Sequence, residues 1–254
     1  MNIDIIIPSY HSETLTTLAI KSFEKYKGDF NFRYIVVENG NDNSYKDNIL
    51  ALNDNIEWIA NDCQYSTLRN NDGSYANAEA IEIGLEYVKS EYVFLCHNDV
   101  VACHDNWMAH LYSKIEEGYS IAGTVLDNAR IKAVHISGLL TKSNIAKNIS
   151  PWPIESEQVS EVLLDVGDMY TKHCRENSLQ YYCCKNTQNN NVSNIEDKVF
   201  LDFSVDRAVD DDGNVIFLHL GRGVEKQFNR YYKPDKIYFQ DWVDFVEKEV
   251  LGVD

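Results

Sequence analysis

The tripeptide His97-Asn98-Asp99 sets an imidazole, an amide and a carboxylate in a row directly behind the apolar run Tyr92-Val-Phe-Leu-Cys96. An imidazole nitrogen and a carboxylate oxygen this close together are the lone-pair donors that cation binding and proton transfer use. The run before them has the length and the β-branched and aromatic make-up of a buried parallel strand. In open α/β sheets the carboxyl ends of such strands border the ligand crevice, which would aim His97 and Asp99 into it. The competing account is a polar strand exit whose Asp99 caps the helix that begins near His104. A second candidate is Val215-Ile-Phe-Leu-His-Leu-Gly-Arg-Gly223, an apolar strand that ends at His219 and runs into a flexible turn. There the choice is between a site and a packed histidine beside a solvent-facing Arg222.

These groups need elements that bring them to one edge. Asn2–Ile7 is predicted as a strand, ended by Pro8-Ser9-Tyr10 because proline cannot continue a ladder. Ser12 is an N-cap signal for a helix over Glu13–Lys27. A strand over Phe32–Glu38 runs into the turn Asn39-Gly40-Asn41-Asp42. A weak helix over Tyr45–Leu52 leads to a short strand over Ile56–Ala60 that closes with Asn61-Asp62. A polar loop through Asn70-Asn71-Asp72-Gly73 and a helix over Tyr75–Lys89 then deliver the chain to Tyr92. Strands alternating with helices predict a parallel, doubly wound sheet. Its carboxyl edge would carry Pro8-Ser9-Tyr10, Glu38-Asn39, Asn61-Asp62 and His97-Asn98-Asp99. Four polar exits in line favour a ligand crevice, against the plainer account that loops are polar anyway.

Composition narrows the ligand. The 254 residues are 44% hydrophobic, enough for one sizeable core, and 40 acidic against 23 basic residues give a net charge of -17. With no block of Lys and Arg, a nucleic-acid or anionic-membrane partner is not expected. Neither G-x-G-x-x-G nor G-x-x-x-x-G-K-[ST] occurs, so phosphates would need a metal, backbone N–H groups or a few placed cations. The six cysteines form no C-x-x-C pair, which fits a reduced, cytoplasmic chain. Ile3–Ile7 is interrupted by Asp4 and cut by Pro8, unlike a signal peptide. No segment approaches the ~20 apolar residues of an integral membrane span.

Four motifs in order, Ile5-Ile-Ile-Pro-Ser-Tyr10, Ile35-Val-Val-Glu-Asn-Gly-Asn-Asp42, Asn71-Asp-Gly73 and Val93-Phe-Leu-Cys-His-Asn-Asp-Val100 with Trp107, resemble the nucleotide-binding half of family 2 glycosyltransferases with the GT-A fold. The resemblance covers residues 1–110. It implies an α/β fold with a GT-A type, mostly parallel, doubly wound sheet and an elaborated C-terminal acceptor region. The whole chain would be a single domain, with residues 1–110 the nucleotide-sugar half and 111–254 the acceptor half. It implies that Pro8, Tyr10 and Glu38 contact base and ribose, with Ser9, Asn71 and Asn98 in the same nucleotide-sugar surface. Glu38 stands where the family usually has Asp. The family's D-x-D metal motif falls on His97-Asn98-Asp99, which keeps Asp99 as the metal residue and places His97 at the first position. A histidine after a later strand often completes the metal shell, which implies His219 as a ligand and Arg222 as a phosphate contact. Phe200–Arg207 loosely resembles the segment that carries the acceptor base, which implies Asp202 in that role, with Asp168 and Asp206 as alternatives; each could equally be a surface carboxylate.

Beyond Trp107, a helix over Asp105–Glu117 and strands over Ile121–Val125 and Ala133–Leu140 are expected, with His135 and Ser137 on one strand face and His135 as an interior histidine outside the site. Residues 141–160 look like a loop over the crevice, where Trp152 either stacks on a sugar ring or pins the loop. A helical stretch within Leu163–Asn177 and a polar loop at Gln188-Asn-Asn-Asn191 follow. Trp242, Phe245, Val246 and Val250 share one helical face, fitting core packing or a homodimer contact.

The function implied is a glycosyltransferase of polysaccharide biosynthesis. It would move a sugar from a nucleoside-diphosphate sugar, with UDP favoured, to the hydroxyl of a glycan or other acceptor, with inversion. An imidazole in the shell suits Mn2+ better than Mg2+. Two other classes compete. A nucleotidyltransferase would show a glycine-rich loop and a lysine after the first strand, and this chain has neither. A non-catalytic nucleotide- or carbohydrate-binding module would be consistent with His97 replacing an Asp.

Overall fold

Alternation along the first strand divides the interior into two cores. In a computed structural model, which describes residues 1–65, 72–127, 130–155, 162–187, 206–229 and 238–253, β1 (Asn2–Ser9) sends Ile3, Ile5 and Ile7 to one side and Ile6 to the other. The chain continues through α1 (Glu13–Lys25), β2 (Asn31–Glu38), α2 (Lys46–Leu50), β3 (Ile56–Ala60), α3 (Asp72–Glu86), β4 (Tyr92–Cys96), β5 (Val100–Ala102) and α4 (Trp107–Glu116). Then come β6 (Ile121–Gly123), β7 (Gly138–Lys142), α5 (Ser143–Lys147), β8 (Ile154–Glu155), β9 (Val162–Leu164), α6 (Asp168–Glu176), β10 (Tyr181–Cys183) and β11 (Lys185–Asn186). The last elements are β12 (Asp206–Val209), β13 (Val215–His219), α7 (Gly223–Gln227), α8 (Phe239–Phe245) and a π-helical turn, Val246–Leu251.

Among the described residues the main sheet has the order β10-β6-β7-β4-β1-β2-β3. The strands β4, β1, β2 and β3 run parallel, and β7 runs antiparallel to both β4 and β6. Phe23 of α1 and Trp107, Met108 and Leu111 of α4 cover one face. Ala80, Ile81 and Leu85 of α3, Ala146 of α5 and Tyr170 and Cys174 of α6 cover the other. Helices on both faces make the sheet mostly parallel and doubly wound, with each large apolar side chain contributing about 1.5–3 kcal/mol by burial. Asp4 is the polar exception inside β1. Arg33 clamps it at 3.1 and 2.8 Å, and the Lys89 and Ser90 N–H groups donate to it at 2.6 and 3.0 Å. Burial alone would raise the Asp4 pKa, but these donors lower it, so the ionised carboxylate ties β1 to β2 and to the turn before β4.

A second sheet, β11-β12-β13-β5, is antiparallel and grows from the exit of β4, because β5 leaves the main sheet immediately after Asp99. Several expectations are corrected. The strand foreseen over Ala133–Leu140 is confined to Gly138–Lys142, and His135 and Ser137 occupy the turn before it. The span 141–160 is not simply a loop, since it holds the end of β7, then α5 and β8. Ser12 stands at the N-cap of α1, but its hydroxyl donates to Gln227 Oε1 instead of accepting a helix N–H. The C-terminal helix packs into the molecule: Trp242 is buried with Leu15 and Leu18, while Lys25 Nζ and Tyr26 OH both donate to the Val250 carbonyl at 2.8 Å. The Gln188–Asn191 segment lies outside the described residues. Among the described residues, no helix is long and apolar enough to cross a membrane.

Candidate functional site

The parallel order β4-β1-β2-β3 brings four strand exits side by side. Backbone hydrogen bonds continue across them, with Asn39 N–H donating to Ser9 O at 2.9 Å and Asn61 N–H to Glu38 O at 2.8 Å. Glu38 is fully buried, and its carboxylate organises this edge. Oε1 accepts the N–H groups of His11 and Gly40 at 3.1 and 2.8 Å, and Oε2 accepts the Tyr45 hydroxyl. Burial and the Glu38 charge together raise the Tyr45 pKa far above its ordinary value, so the phenol stays protonated and keeps donating. Pro8 and Ser9 are buried, Ser9 Oγ lying 2.9 Å from the Tyr45 hydroxyl, whereas Tyr10 is half-buried with its ring edge-on to His11 at 4.5 Å. His11 Nδ1 meets Asp42 Oδ2 at 2.9 Å, and that hydrogen bond is the main cause holding the Asp42 carboxyl down at about 2. The crevice edge therefore presents Tyr10 and His11 to solvent, while Glu38 acts from behind them. Asn71 and Asp202 lie outside the described residues.

Strand register assembles the second cluster. Antiparallel pairing of β13 with β5 sets His219 opposite Val100, the residue after Asp99, and pairing with β12 sets Asp206 opposite His219. Directly opposed residues share a face, which sets Asp206 beside His219, and the same pairing brings His219 to the exit of β4. His219 Nε2 lies 3.4 Å from Asp99 Oδ1, and His97 Nδ1 lies 3.9 Å from the same oxygen. One ligating atom from each of His97, Asp99 and His219 falls within 4.8 Å of the others. On the far side His219 Nδ1 meets Asp206 Oδ2 at 3.1 Å. Asp99 is held by its other oxygen, which accepts the Gly223 N–H at 2.8 Å, while its carbonyl accepts the Leu220 N–H at 2.9 Å. A Cβ on residue 223 would run into Asp99 Cβ, so only glycine lets that N–H come so close.

Burial governs the charges. It would lower the His219 pKa, but Asp99 and Asp206 on either side reverse the effect and lift it to about 10. It would raise Asp99, but the His219 charge and hydrogen bond, with His97 and the Gly223 N–H, hold it well below the carboxylate range. His97 has burial and His135 both against its charged form and falls to about 3. His97 Nε2 and Asn98 Nδ2 are buried without a hydrogen-bond partner, and His219 Nε2 is buried facing Asp99 Oδ1 at 3.4 Å. The unpartnered His97 nitrogen and the His219 nitrogen that faces only the ionised Asp99 carboxylate fit a divalent cation, which would satisfy the one and displace the proton of the other.

The remaining sequence candidates are dispersed. Asp168 begins α6 and is buried, with Oδ2 accepting from Arg130 Nε at 2.9 Å and from the Asp165 N–H at 2.8 Å. Arg222 is exposed in a left-handed conformation (φ 53°), its Nη1 3.0 Å from Glu225. Trp152 packs among Tyr65 and Tyr75 at 5.9 and 6.2 Å between ring centroids, an arrangement that pins its segment. Sequence reasoning missed two partners of the cluster, the Gly223 N–H and the pairing of Asp206 with His219. It also left His135 outside, although the His135 ring lies 5.3 Å from that of His97 and 5.9 Å from that of His219. The alternation through Ala133–Leu140 carries no signal for this placement.

A model of the family described as glycosyl transferase family 2 matches residues 4–157. No curated protein matches the sequence significantly. Among solved structures, the galactosyltransferase LgtC, crystallised with donor and acceptor sugar analogues, has a TM-score of 0.60 at 12% identity, covering 98% of this chain and 96% of that one. The mannosyltransferase PcManGT from Pyrobaculum calidifontis, in complex with GDP-Man and Mn2+, scores 0.49 at 11% identity and covers 71% and 54%. TarS 1-349 from S. aureus, in complex with UDP, scores 0.44 at 16% identity and covers 58% and 48%. The chain thus spans about half the length of the latter two. The likeness to LgtC runs over nearly the whole chain and gives the fold as GT-A.

Proposed function

The chain belongs to glycosyl transferase family 2, and on that footing we propose that it transfers a sugar from a nucleoside-diphosphate sugar to an acceptor hydroxyl with the help of a divalent cation. The observation that carries this reading is the convergence of His97, Asp99 and His219 at the exit of β4, with His97 Nε2 buried and unpartnered and His219 Nε2 buried against Asp99 Oδ1. Asp99, His219 and His97 would hold the cation. When bound, it supplies the positive charge that stabilises a leaving diphosphate, a need that an acidic chain without a glycine-rich phosphate loop does not meet otherwise. Two imidazoles in the shell favour Mn2+ over Mg2+.

The chain's own residues carry the other tasks. Glu38 and Tyr45 hold the His11–Gly40 backbone so that Tyr10 and His11 border the base and ribose, and Ser9 and Asn39 bridge the exits of β1 and β2. The acceptor base and the inverting course belong to the same proposal, with Asp202 the residue proposed to take the acceptor proton. Asp168 serves that role less well, since Arg130 and the Asp165 N–H occupy its Oδ2. Cytoplasmic placement and a glycan acceptor complete the reading.

A screen of common nucleotide sugars, UDP-linked first, with Mn2+ and with nucleoside-diphosphate release as the readout, tests it. Metal-dependent release from one donor is the expected result. Metal-dependent nucleotide binding with no turnover on any acceptor would make the chain a binding module instead.

A further inference from the structure

Three imidazoles meet at the exit of β4, and the neighbours of two of them, His219 and His135, fix opposite proton placements. His219 Nδ1 faces the Asp206 carboxylate at 3.1 Å, and a carboxylate accepts, so Nδ1 keeps its proton and Nε2 is the nitrogen that offers a lone pair once a cation displaces the proton there. His135 has the opposite arrangement. The Ser137 N–H donates to His135 Nδ1 at 3.2 Å, and Ser137 Oγ lies 2.9 Å from the same nitrogen. A ring nitrogen that accepts an N–H bears no proton, so in the neutral ring the proton sits on Nε2. Such a ring has no lone pair for a cation, but it has an N–H for an anion.

Position and surroundings give that N–H a use. The His135 ring is part-exposed and stands within 6 Å, between centroids, of both histidines of the cluster. Three cationic side chains of neighbouring segments are engaged by other groups: Arg222 Nη1 lies on Glu225, Lys226 Nζ on the Leu220 carbonyl, and Arg130 among Asp127, Asp165 and Asp168. With those three so engaged, an anion at the cluster would look to the cation and to neutral N–H donors such as this one. We infer that His135 is a diphosphate contact, donating from Nε2–H to a phosphate oxygen of the nucleotide, and that it is not a metal ligand. This rests on the function proposed above and assigns a further residue to the same site.

Calorimetry on the full chain separates the roles. Wild type, His135→Ala and His135→Asn are titrated with Mn2+ alone, then with UDP, GDP, uridine and guanosine at saturating Mn2+, with melting temperatures as the folding control. The expected result is Mn2+ affinity unchanged within about threefold in both variants, as for a residue outside the metal shell, and diphosphate affinity about tenfold or more weaker in His135→Ala, as for a hydrogen bond to a charged group. Nucleoside affinity should stay unchanged, and the amide of His135→Asn should recover part of the loss. An equal loss for nucleoside and diphosphate, a tenfold loss of Mn2+ affinity, or unchanged diphosphate binding in His135→Ala would each overturn it. If wild type binds neither diphosphate, the proposed function and this role fall together. If wild type binds one and His135→Ala binds it equally well, only this role falls.

Discussion

Asp99 and His219 stand 3.4 Å apart because one directly precedes β5 and the other ends β13, and those strands pair antiparallel with Val100 opposite His219. The contact is thus a product of register, not of flexible side chains reaching for each other. It also sets a competition. With its pKa lifted to about 10, His219 holds a proton at neutral pH that a cation must displace. Mn2+ affinity is expected to rise with pH between about 7 and 10, by up to tenfold per unit. Titrations in buffers of different ionisation enthalpy should report about one proton released at pH 8. The metal-free protein follows the opposite trend: a raised folded pKa adds stability that is complete below the unfolded value of 6.5 and is lost as pH rises through about 10.

Asp206 orients that histidine. Asp206→Asn preserves the shape of the pair but removes the charge that favours the Nδ1–H tautomer. A loss of about 10- to 100-fold in Mn2+ affinity is expected, as for other carboxylates behind a metal-bound histidine. Thermal melting run alongside would show whether the effect is confined to the site, and an unchanged affinity would remove Asp206 from it.

Gly223 admits no side chain. In Gly223→Ala the new methyl would meet Asp99 Cβ and Leu15 Cδ1, both in packed surroundings. Denaturant unfolding should show a loss of about 1–3 kcal/mol. Mn2+ binding should weaken as well, because Asp99 must move away from His219.

Tyr45 serves the other half of the crevice edge. Tyr45→Phe leaves buried Glu38 Oε2 without its phenolic donor, and an unsatisfied buried acceptor costs about 1–3 kcal/mol. Chemical denaturation reads the loss directly. A nucleotide affinity that falls along with it would place the His11–Gly40 backbone in the binding site, since Glu38 is what holds that backbone.

The parallel half of the fold was legible because each strand there carries its own stop signal. The strand Ile56–Ala60 is found over those same residues, bounded by Asn55 and Asn61, and the polar exits behind Ser9, Glu38, Ala60 and Cys96 do line one edge. His97, Asp99 and His219 were legible as strand ends with chemistry on them. What could not be read was register between distant strands. Nothing local to Asp206 says that it will lie opposite His219, and nothing local to Gly223 says that it will close on Asp99. The alternation through Ala133–Leu140 misled for a related reason. Ala133 and His135 pair with Asp127 and Val125 through an isolated antiparallel bridge at Val134, and the His135 ring turns back to Ser137 before the β4 ladder begins at Gly138.

The most direct test of the central claim is a paired measurement on wild type and Asp99→Ala: Mn2+ binding by calorimetry, and Mn2+-dependent release of nucleoside diphosphate from the donor that wild type uses. Wild type is expected to show both and Asp99→Ala neither, with its fold intact by circular dichroism. Retention of either metal binding or turnover in Asp99→Ala would contradict a site built on Asp99 and His219.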